Sequence, residues 1–497
     1  MPVDRIEFWD DGPGEPIDLP ESAVTNGHAT PAYFDAIPPP ERPPTDRPAS
    51  VNGEIVPPEF ADDALALRFS YHFATALRYV DAWGRWMAWD GSVWRKDDTL
   101  RVYDLVRRIC RAASAEAHQP ALQTKLASGK TVAAVEKLAR ADRRHAATAQ
   151  QWDDDGWLLN TPGGIVDLRT GALSAHESAK HMTKLTAVAP EGDCPTWLEF
   201  LVEVTAGNHE LIGYLQRVAG YALTGSIREH ALFFAYGTGG NGKGTFLNTI
   251  QWIMKDYAVV SPSETFMQRQ GASHLTELAR LQGARLVVAQ ETSDGNLLNT
   301  ARVSAITGGD PITANYMRQD HFTFIPQFKL FISGNHKPGL QNVTNAMKRR
   351  FNMIPFDVEI SRDKMDHTLP DKLREEAPGI LRWMIDGCLW WQDKKLNPPA
   401  AVQVATTEYF EAEDAFSLWV QECCTTRRDD WAPVGELFRS WEKWAKSAGE
   451  QSGSQKRFSQ ALVSRGYPAG KKSGQRCFER IAIYVPPPRQ EPERDRA

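Results

Sequence analysis

The chain has 497 residues, 57 Lys+Arg against 63 Asp+Glu, and a formal net charge of −6. With 42% apolar and 24% charged residues it is an ordinary globular sequence with material for about three domains. Its apolar stretches, such as 231–236, fall far short of the ~18 residues of a membrane span. The opening residues are acidic rather than basic, so a cytoplasmic protein with no membrane partner is expected.

Six cysteines stand at Cys110, Cys194, Cys388, Cys423, Cys424 and Cys477, without C-x-x-C spacing. They read as reduced thiols rather than a zinc site or a disulfide framework. Residues 1–60 hold 12 acidic and 3 basic residues and 13 of the 32 prolines, which predicts a disordered acidic tail. The 456–480 stretch has the opposite bias, with seven basic residues and one acidic, so the acidic overall balance does not exclude nucleic acid.

After the tail, Leu65, Phe69, Phe73 and Leu77 form an i, i+4 stripe that predicts an amphipathic helix. Asp90-Gly91 between Trp86-Met-Ala-Trp89 and Ser-Val-Trp94 predicts a hairpin, and Gly164 to Leu173 a second one. Trp83, Trp86, Trp89 and Trp94 read as the core of a small domain, the alternative being a stacking platform for single-stranded bases. Residues 132–150 read as a helix carrying Arg140, Arg143 and Arg144. Residues 196–223 read as two helices, the second with Leu211, Leu215, Val218 and Ala222 on one stripe.

The apolar run 230–236 then meets Gly237-Thr238-Gly239-Gly240-Asn241-Gly242-Lys243-Gly244-Thr245, and helical periodicity resumes at Phe246. Strand, G-x-x-x-x-G-K and helix in this order predict a phosphate-binding loop. Its backbone N–H groups face phosphate oxygens, and Lys243 reaches the β- and γ-phosphates. The hydroxyl residue that usually follows the lysine is displaced here, with Gly244 in that slot and Thr245 one step later. Two further strands end in residues suited to the same cleft. The 284–290 strand leads into Glu291, a carboxylate able to orient Mg²⁺ or activate water, and the 328–333 strand leads into Asn335, an amide able to reach the γ-phosphate. Lys348-Arg349-Arg350 precedes a fourth strand at 353–356, and an arginine there could act on the phosphate bound by a neighbouring subunit.

The order glycine loop, strand–Glu291, Thr307-Gly308-Gly309-Asp310, hairpin, Phe328 to Pro338 and Lys348 to Phe356 resembles the superfamily 3 helicase domain of the phage/plasmid primase-helicase family. The resemblance runs from about residue 61 to the C-terminal end. It implies an α/β fold: an AAA+-type P-loop ATPase core with an N-terminal α+β domain and a C-terminal winged helix. The implied boundaries are a tail at 1–60, an α+β domain at 61–190, a helical collar at 191–225, the ATPase at 226–400, the winged helix at 401–485 and a second tail at 486–497.

The same resemblance implies ATP contacts from Gly237 to Thr245 and catalytic roles for Lys243, Glu291, Asn335 and Arg349 or Arg350. Mg²⁺ would fall to Thr245 and Glu291. The hairpin within 312–324 offers Arg318 and His321 to DNA in a central pore. In the winged helix, Lys456, Arg457, Lys471 and Lys472 lie where phosphate contacts are expected. Asn315 and Ser304 are neutral where many relatives carry a basic residue. The function implied is a ring-forming helicase, with six subunits by family pattern, acting on single-stranded or forked DNA. A replication initiator that melts an origin is the alternative, as is a primase-helicase with its primase on this or a partner chain.

Overall fold

The computed structural model describes residues 50–51, 54–55, 57–268, 275–290, 297–316, 320–340, 344–361, 363, 365–472 and 474–484. Glu291, Arg318 and most of the two predicted tails lie outside the described residues. The chain divides into two compact units, with the break between Ala189 and Pro190.

The N-terminal unit opens with α1 (Asp62–Phe73), β1 (Leu77–Val80), β2 (Arg85–Trp89) and β3 (Trp94–Lys96). Helices α2 (Arg101–Glu116), α3 (Pro120–Leu126) and α4 (Gly129–Ala141) follow, then the short β4 (Ala146–Ala147). The sheet order is β3-β2-β1-β4. A second sheet is formed by β5 (Leu158–Thr161), β6 (Gly164–Asp167) and β7 (Ala172–Ser174), so both predicted hairpins are present.

Two sequence expectations need correction here. Leu77 begins β1 rather than extending the α1 stripe, because the helix ends at Phe73. Helix α4 stops at Ala141: Asp142 takes extended geometry, and its side chain accepts from the Arg144 backbone and guanidinium instead. Arg143 and Arg144 therefore lie beyond the helix. Phe69, Trp86, Val106 and Val135 share the core that α1, α2 and α4 build against the sheet.

The second unit starts with α5 (Pro195–Val204) and α6 (His209–Leu223). Leu211, Leu215, Val218 and Ala222 are all buried, as the stripe predicts. Next come β8 (Leu232–Tyr236), α7 (Lys243–Met254), β9 (Ala258–Pro262), α8 (Leu275–Ala279), β10 (Leu286–Gln290) and α9 (Thr300–Gly308). A hairpin of β11 (Ile312–Asn315) and β12 (His321–Phe324) precedes β13 (Lys329–Gly334), α10 (Asn345–Arg350) and β14 (Phe351–Pro355).

The five strands β9-β10-β13-β8-β14 form one parallel sheet. A strand covered on both faces should read as an unbroken apolar run, and Leu232 to Ala235 are fully buried. At the strand-start edge, Lys329 donates through Nζ to the carbonyls of Thr224 and, at 3.3 Å, Ser226, while Arg285 Nη1 reaches Leu223 O at 2.7 Å. These side chains satisfy the open carbonyls at the end of α6 and tie that helix to the sheet.

Helices α11 (Leu369–Glu375), α12 (Ala377–Lys394) and α13 (Ala400–Cys423) follow. Tyr409 and Phe410 of α13 pack on Phe351 of β14 at ring distances of 5.8 and 5.4 Å. The far end of α13 belongs to a different core, where Phe416 and Trp419 meet Trp441, Phe458 and Phe478. That core is closed by β15 (Cys424–Thr425), β16 (Trp431–Pro433), α14 (Val434–Ala448), α15 (Gln455–Ser464), β17 (Ala469–Lys472), β18 (Gln475–Glu479) and β19 (Ala482–Ile483). Strands β17 and β18 form an antiparallel hairpin beside α15.

Candidate functional site

Parallel pairing places every loop that follows a strand at the same edge of the sheet. Tyr236, the last residue of β8, is in register with Gly334 of β13 and Pro355 of β14. The glycine loop and Asn335 therefore emerge side by side, although 92 residues separate Lys243 from Asn335.

Lys243 is the first residue of α7 and is 6% exposed. Its Nζ donates to Gly237 O at 3.0 Å, Asn241 Oδ1 at 2.9 Å and Asn335 Oδ1 at 3.3 Å. Burial lowers its pKa from the ordinary lysine value. Asn241 is held in turn by donating Nδ2 to Phe356 O at 2.8 Å, which fixes the loop to the end of β14.

Two glycines in the loop are required by space. A Cβ on Gly237 would lie 2.0 Å from Asn241 Nδ2 and 2.2 Å from Phe356 O. Gly242, at φ +81°, would put one 2.4 Å from Val204 Cγ1 and 3.0 Å from Phe200 Cε2 on α5. Trp197 of α5 also stacks on Phe246 of α7 at 5.5 Å, so α5 backs the first turn of the loop helix. By contrast Gly244 is exposed and has nothing within 4 Å of its Cβ position. Thr245 is half-buried, and Thr238 and Gly240 are exposed. At the end of β10, Gln290 Nε2 donates to Asn248 Oδ1 of α7 at 3.0 Å.

Arg349 and Arg350 end α10 at the other edge of the sheet. Phe351, the next residue, is in register with Leu232, the start of β8. Four residues of strand, about 13 Å, thus separate this position from the loop that follows Tyr236. Arg350 donates Nε to Thr307 Oγ1 at 3.2 Å and Nη1 to Ala346 O at 3.1 Å, while Arg349 is exposed. The Thr307 position in the T-G-G-D motif is therefore tied to Arg350.

His321 is exposed on β12, opposite Asn315. Lys456, Arg457 and Lys471 are exposed, whereas Lys472 lies over the Trp431 ring at 5.4 Å. In the N-terminal unit, Trp86 and Trp94 are buried, and Trp94 meets Trp89 and Trp152 at 5.6 and 5.5 Å, as expected of core residues, whereas Trp83 is exposed and departs from that expectation. Arg140 makes a two-pronged pair with Glu136, both contacts at 2.7 Å, and Arg144 pairs with Asp142 at 2.7 Å.

Sequence reasoning passed over Lys337. Its Nζ sits 4.1 Å from the Tyr236 ring centroid, directly before the glycine loop, and burial lowers its pKa with Arg457 adding to the effect. Its place two residues after Asn335 was the available signal. Burial also pushes the Tyr236 hydroxyl up to about 12, so this ring stays neutral under the cation.

Two family descriptions match the chain: "D5 N terminal like" over residues 66–206, and "Family of unknown function (DUF5906)" over residues 235–350. Among curated relatives, "Putative helicase L207/L206" of Acanthamoeba polyphaga mimivirus is 22% identical over 323 residues, covering 59% of this chain and 33% of the relative. "Putative helicase 022R" of Frog virus 3 (isolate Goorha) is 25% identical over 264 residues, covering 47% of this chain and 26% of the relative. The chain thus spans about a third and a quarter of their lengths. The solved apo structure of the NrS-1 C-terminal region overlays on 59% of the chain at 12% identity and a TM-score of 0.37. The first family match precedes the glycine loop and the second spans it. Together these matches support a likeness to the phage-type primase-helicase family.

Proposed function

We propose that this chain is a ring-forming, ATP-driven DNA helicase of a phage, prophage or plasmid replication system. The observation that carries the reading is the meeting of Lys243, Asn241 and Asn335 at the strand-end edge of a parallel sheet. The strand order β9-β10-β13-β8-β14 suits an AAA+-type core, because the loop strand lies between the strand of Asn335 and the strand after the arginines.

The three oxygens around Lys243 Nζ stand in for phosphate oxygens. A triphosphate entering the loop exchanges these neutral acceptors for anionic ones and relieves a cation that burial disfavours. Asn335 is then released toward the γ-phosphate and the attacking water, with Glu291 as the base. Thr245 and Glu291 would hold Mg²⁺, which supplies charge neutralisation at the transferring phosphoryl. The fit is a sparse one: Gly244 brings no hydroxyl, and the neighbouring Gln290 is a neutral amide engaged with Asn248. Mg²⁺ tolerates this, since it keeps several waters and needs only one or two protein ligands besides phosphate.

Arginines about 13 Å of strand away from their own loop suit a site completed by a neighbouring subunit. That supports a closed ring, six subunits by family pattern. The β11–β12 hairpin, with Arg318 and His321, would then face the strand in the pore. A separate chain would supply primase, and the work would take place in the cytoplasm of a bacterial host.

DNA-stimulated ATPase and unwinding of a forked duplex, measured on one sample, test the proposal. ATP hydrolysis with strand release is expected. Hydrolysis without strand release would instead indicate an origin-melting initiator, and absence of hydrolysis would overturn the ATPase reading.

A further inference from the structure

Helix α5 begins at Cys194 and Pro195 without a side-chain cap of its own. Its open N–H groups are met from 180 residues away. Thr196 N donates to Glu376 Oε1 and Trp197 N to Glu376 Oε2, each at 3.0 Å. Two charge-assisted bonds at a helix N-terminus combine capping with a favourable dipole interaction. Glu376 occupies the junction of α11 and α12 and is the N-cap residue of α12. Its side chain does not cap that helix, where Pro378 already removes one donor. A carboxylate placed to serve its own helix thus serves another one. The backbone docks alongside: Glu191 N donates to Pro378 O at 3.3 Å, and a Cβ on Gly379 would lie 2.2 Å from Asp193 O.

The body of α5 is the wall behind the glycine loop. Trp197, whose backbone is tied to Glu376, meets Phe246 of α7 and Trp383 of α12 at ring distances of 5.5 and 5.6 Å. It is fully buried, and its Nε1 has no hydrogen-bond partner among the described residues, so packing and the capped first turn set the ring. Phe200 and Val204, further along the same helix, press against the Cβ position of Gly242, the residue before Lys243. We propose that Glu376 is a positioning residue for nucleotide binding, coupling the α11–α12 pair to the glycine loop through α5. The inference rests on the ATP reading of that loop. A local cap would stabilise α5 alone, whereas this remote one makes the support of the loop depend on where α11 and α12 stand. Coupling of this kind is reciprocal, so nucleotide in the loop tightens the Glu376 contacts in return. Because Glu376 acts through the α5 backbone, it supports ground and transition states alike.

The test measures binding of an ATP analogue, steady-state ATPase, melting and amide hydrogen exchange on the full chain. Glu376→Ala should raise the Kd of the analogue and the KM for ATP by about tenfold, with kcat changed by less than about twofold. Adding Cys194→Ser gives α5 a local cap. The pair should recover the melting temperature lost in Glu376→Ala but not the affinity, because the tie to α12 stays broken. In the unmodified chain, the analogue should slow exchange at the Thr196 and Trp197 amides, a reading that needs no variant. Affinity that recovers together with the melting temperature would overturn the proposal and leave Glu376 a structural cap. So would a fall in kcat at unchanged KM, or exchange at those two amides that ignores nucleotide. An unmodified chain that binds no analogue would overturn the ATP reading and this inference together. Equal binding by the unmodified chain and Glu376→Ala would overturn this inference alone.

Discussion

Arg465 places Nη2 3.0 Å from Glu413 Oε1, and the other carboxylate oxygen of Glu413 accepts the Leu340 N–H at 2.8 Å. Both side chains are close to buried, and the Arg465 guanidinium also lies 4.1 Å from the Phe416 ring. Leu340 stands five residues after Asn335, and Tyr409 OH donates to Pro338 O at 2.6 Å in the same segment. The chain leaving the candidate site is therefore clasped by α13, the helix that continues into the C-terminal core.

Breaking that pair on one side leaves a buried charge without compensation, which costs about 3–5 kcal/mol. Glu413→Gln should accordingly lower the melting temperature sharply, and Glu413→Leu combined with Arg465→Met should recover much of the loss. A double-mutant cycle by thermal melting checks this. Simple additivity of the two single losses would show that the residues do not act as a pair.

The Lys243 environment gives a pH prediction with a definite sign. Burial lowers the pKa of the free lysine, and only its charged form attracts phosphate. Affinity for an ATP analogue should therefore fall as pH rises through that lowered value, before the ordinary lysine range is reached. Bound phosphate favours the charged form, so binding at alkaline pH should take up protons. Calorimetry in buffers of different ionisation enthalpy measures the uptake. Lys243→Ala should abolish ATP hydrolysis, retain the far-UV spectrum and show a flat pH profile. An alkaline limb that persists in Lys243→Ala would assign the titration to another group.

How much of this was legible beforehand depended on the range of the interaction. The strand, glycine loop and helix at 232–254 could be read because a buried parallel strand is a continuous apolar run and the loop has its own spacing. The contact between Lys243 and Asn335 could not, because it is created by strand register across 92 residues. The burial of Lys243, 6% exposed, likewise carried no sequence signal. Leu77 misled for a local reason: it continues the spacing of Leu65, Phe69 and Phe73 although the helix has already ended. The 132–150 segment looked helical throughout, but Asp142 satisfies its own turn through Arg144. Glu413 carried no sequence signal at all, since its partners lie 52 residues later and 73 residues earlier.

Arg349 and Arg350 separate into different roles. Arg350 is engaged with Thr307 and Ala346 of its own chain, while Arg349 is exposed. If a neighbouring subunit's phosphate is reached from here, Arg349 is the free candidate. Mixing Arg349→Ala with Lys243→Ala subunits should restore part of the ATPase, because some mixed interfaces contain neither defect. Arg350→Ala should act mainly on stability, by about 1 kcal/mol for each lost hydrogen bond. Absence of recovery in confirmed mixed rings would remove Arg349 from the shared site.

Gly242 and Gly244, two residues apart, differ in the space around them. Gly242 has φ +81° and no room for a side chain, since a Cβ would lie 2.4 Å from Val204 Cγ1. Gly242→Ala should therefore displace the loop from α5 and abolish nucleotide binding, with a stability loss of about 1–3 kcal/mol. Gly244 is exposed, and its Cβ position is open to 4 Å. Gly244→Ser should be accommodated in the first turn of α7 and improve helix propensity by about 0.5 kcal/mol. The new hydroxyl would occupy the slot that ordinarily serves Mg²⁺, so the Mg²⁺ concentration for half-maximal ATPase should fall. Thr245→Ala should raise it. Titrating Mg²⁺ at saturating ATP distinguishes the outcomes, with analogue binding measured alongside. If Gly244→Ser removes nucleotide binding although its Cβ has space, the backbone at this position must approach the phosphates closely, and the assignment of the metal to Thr245 fails with it.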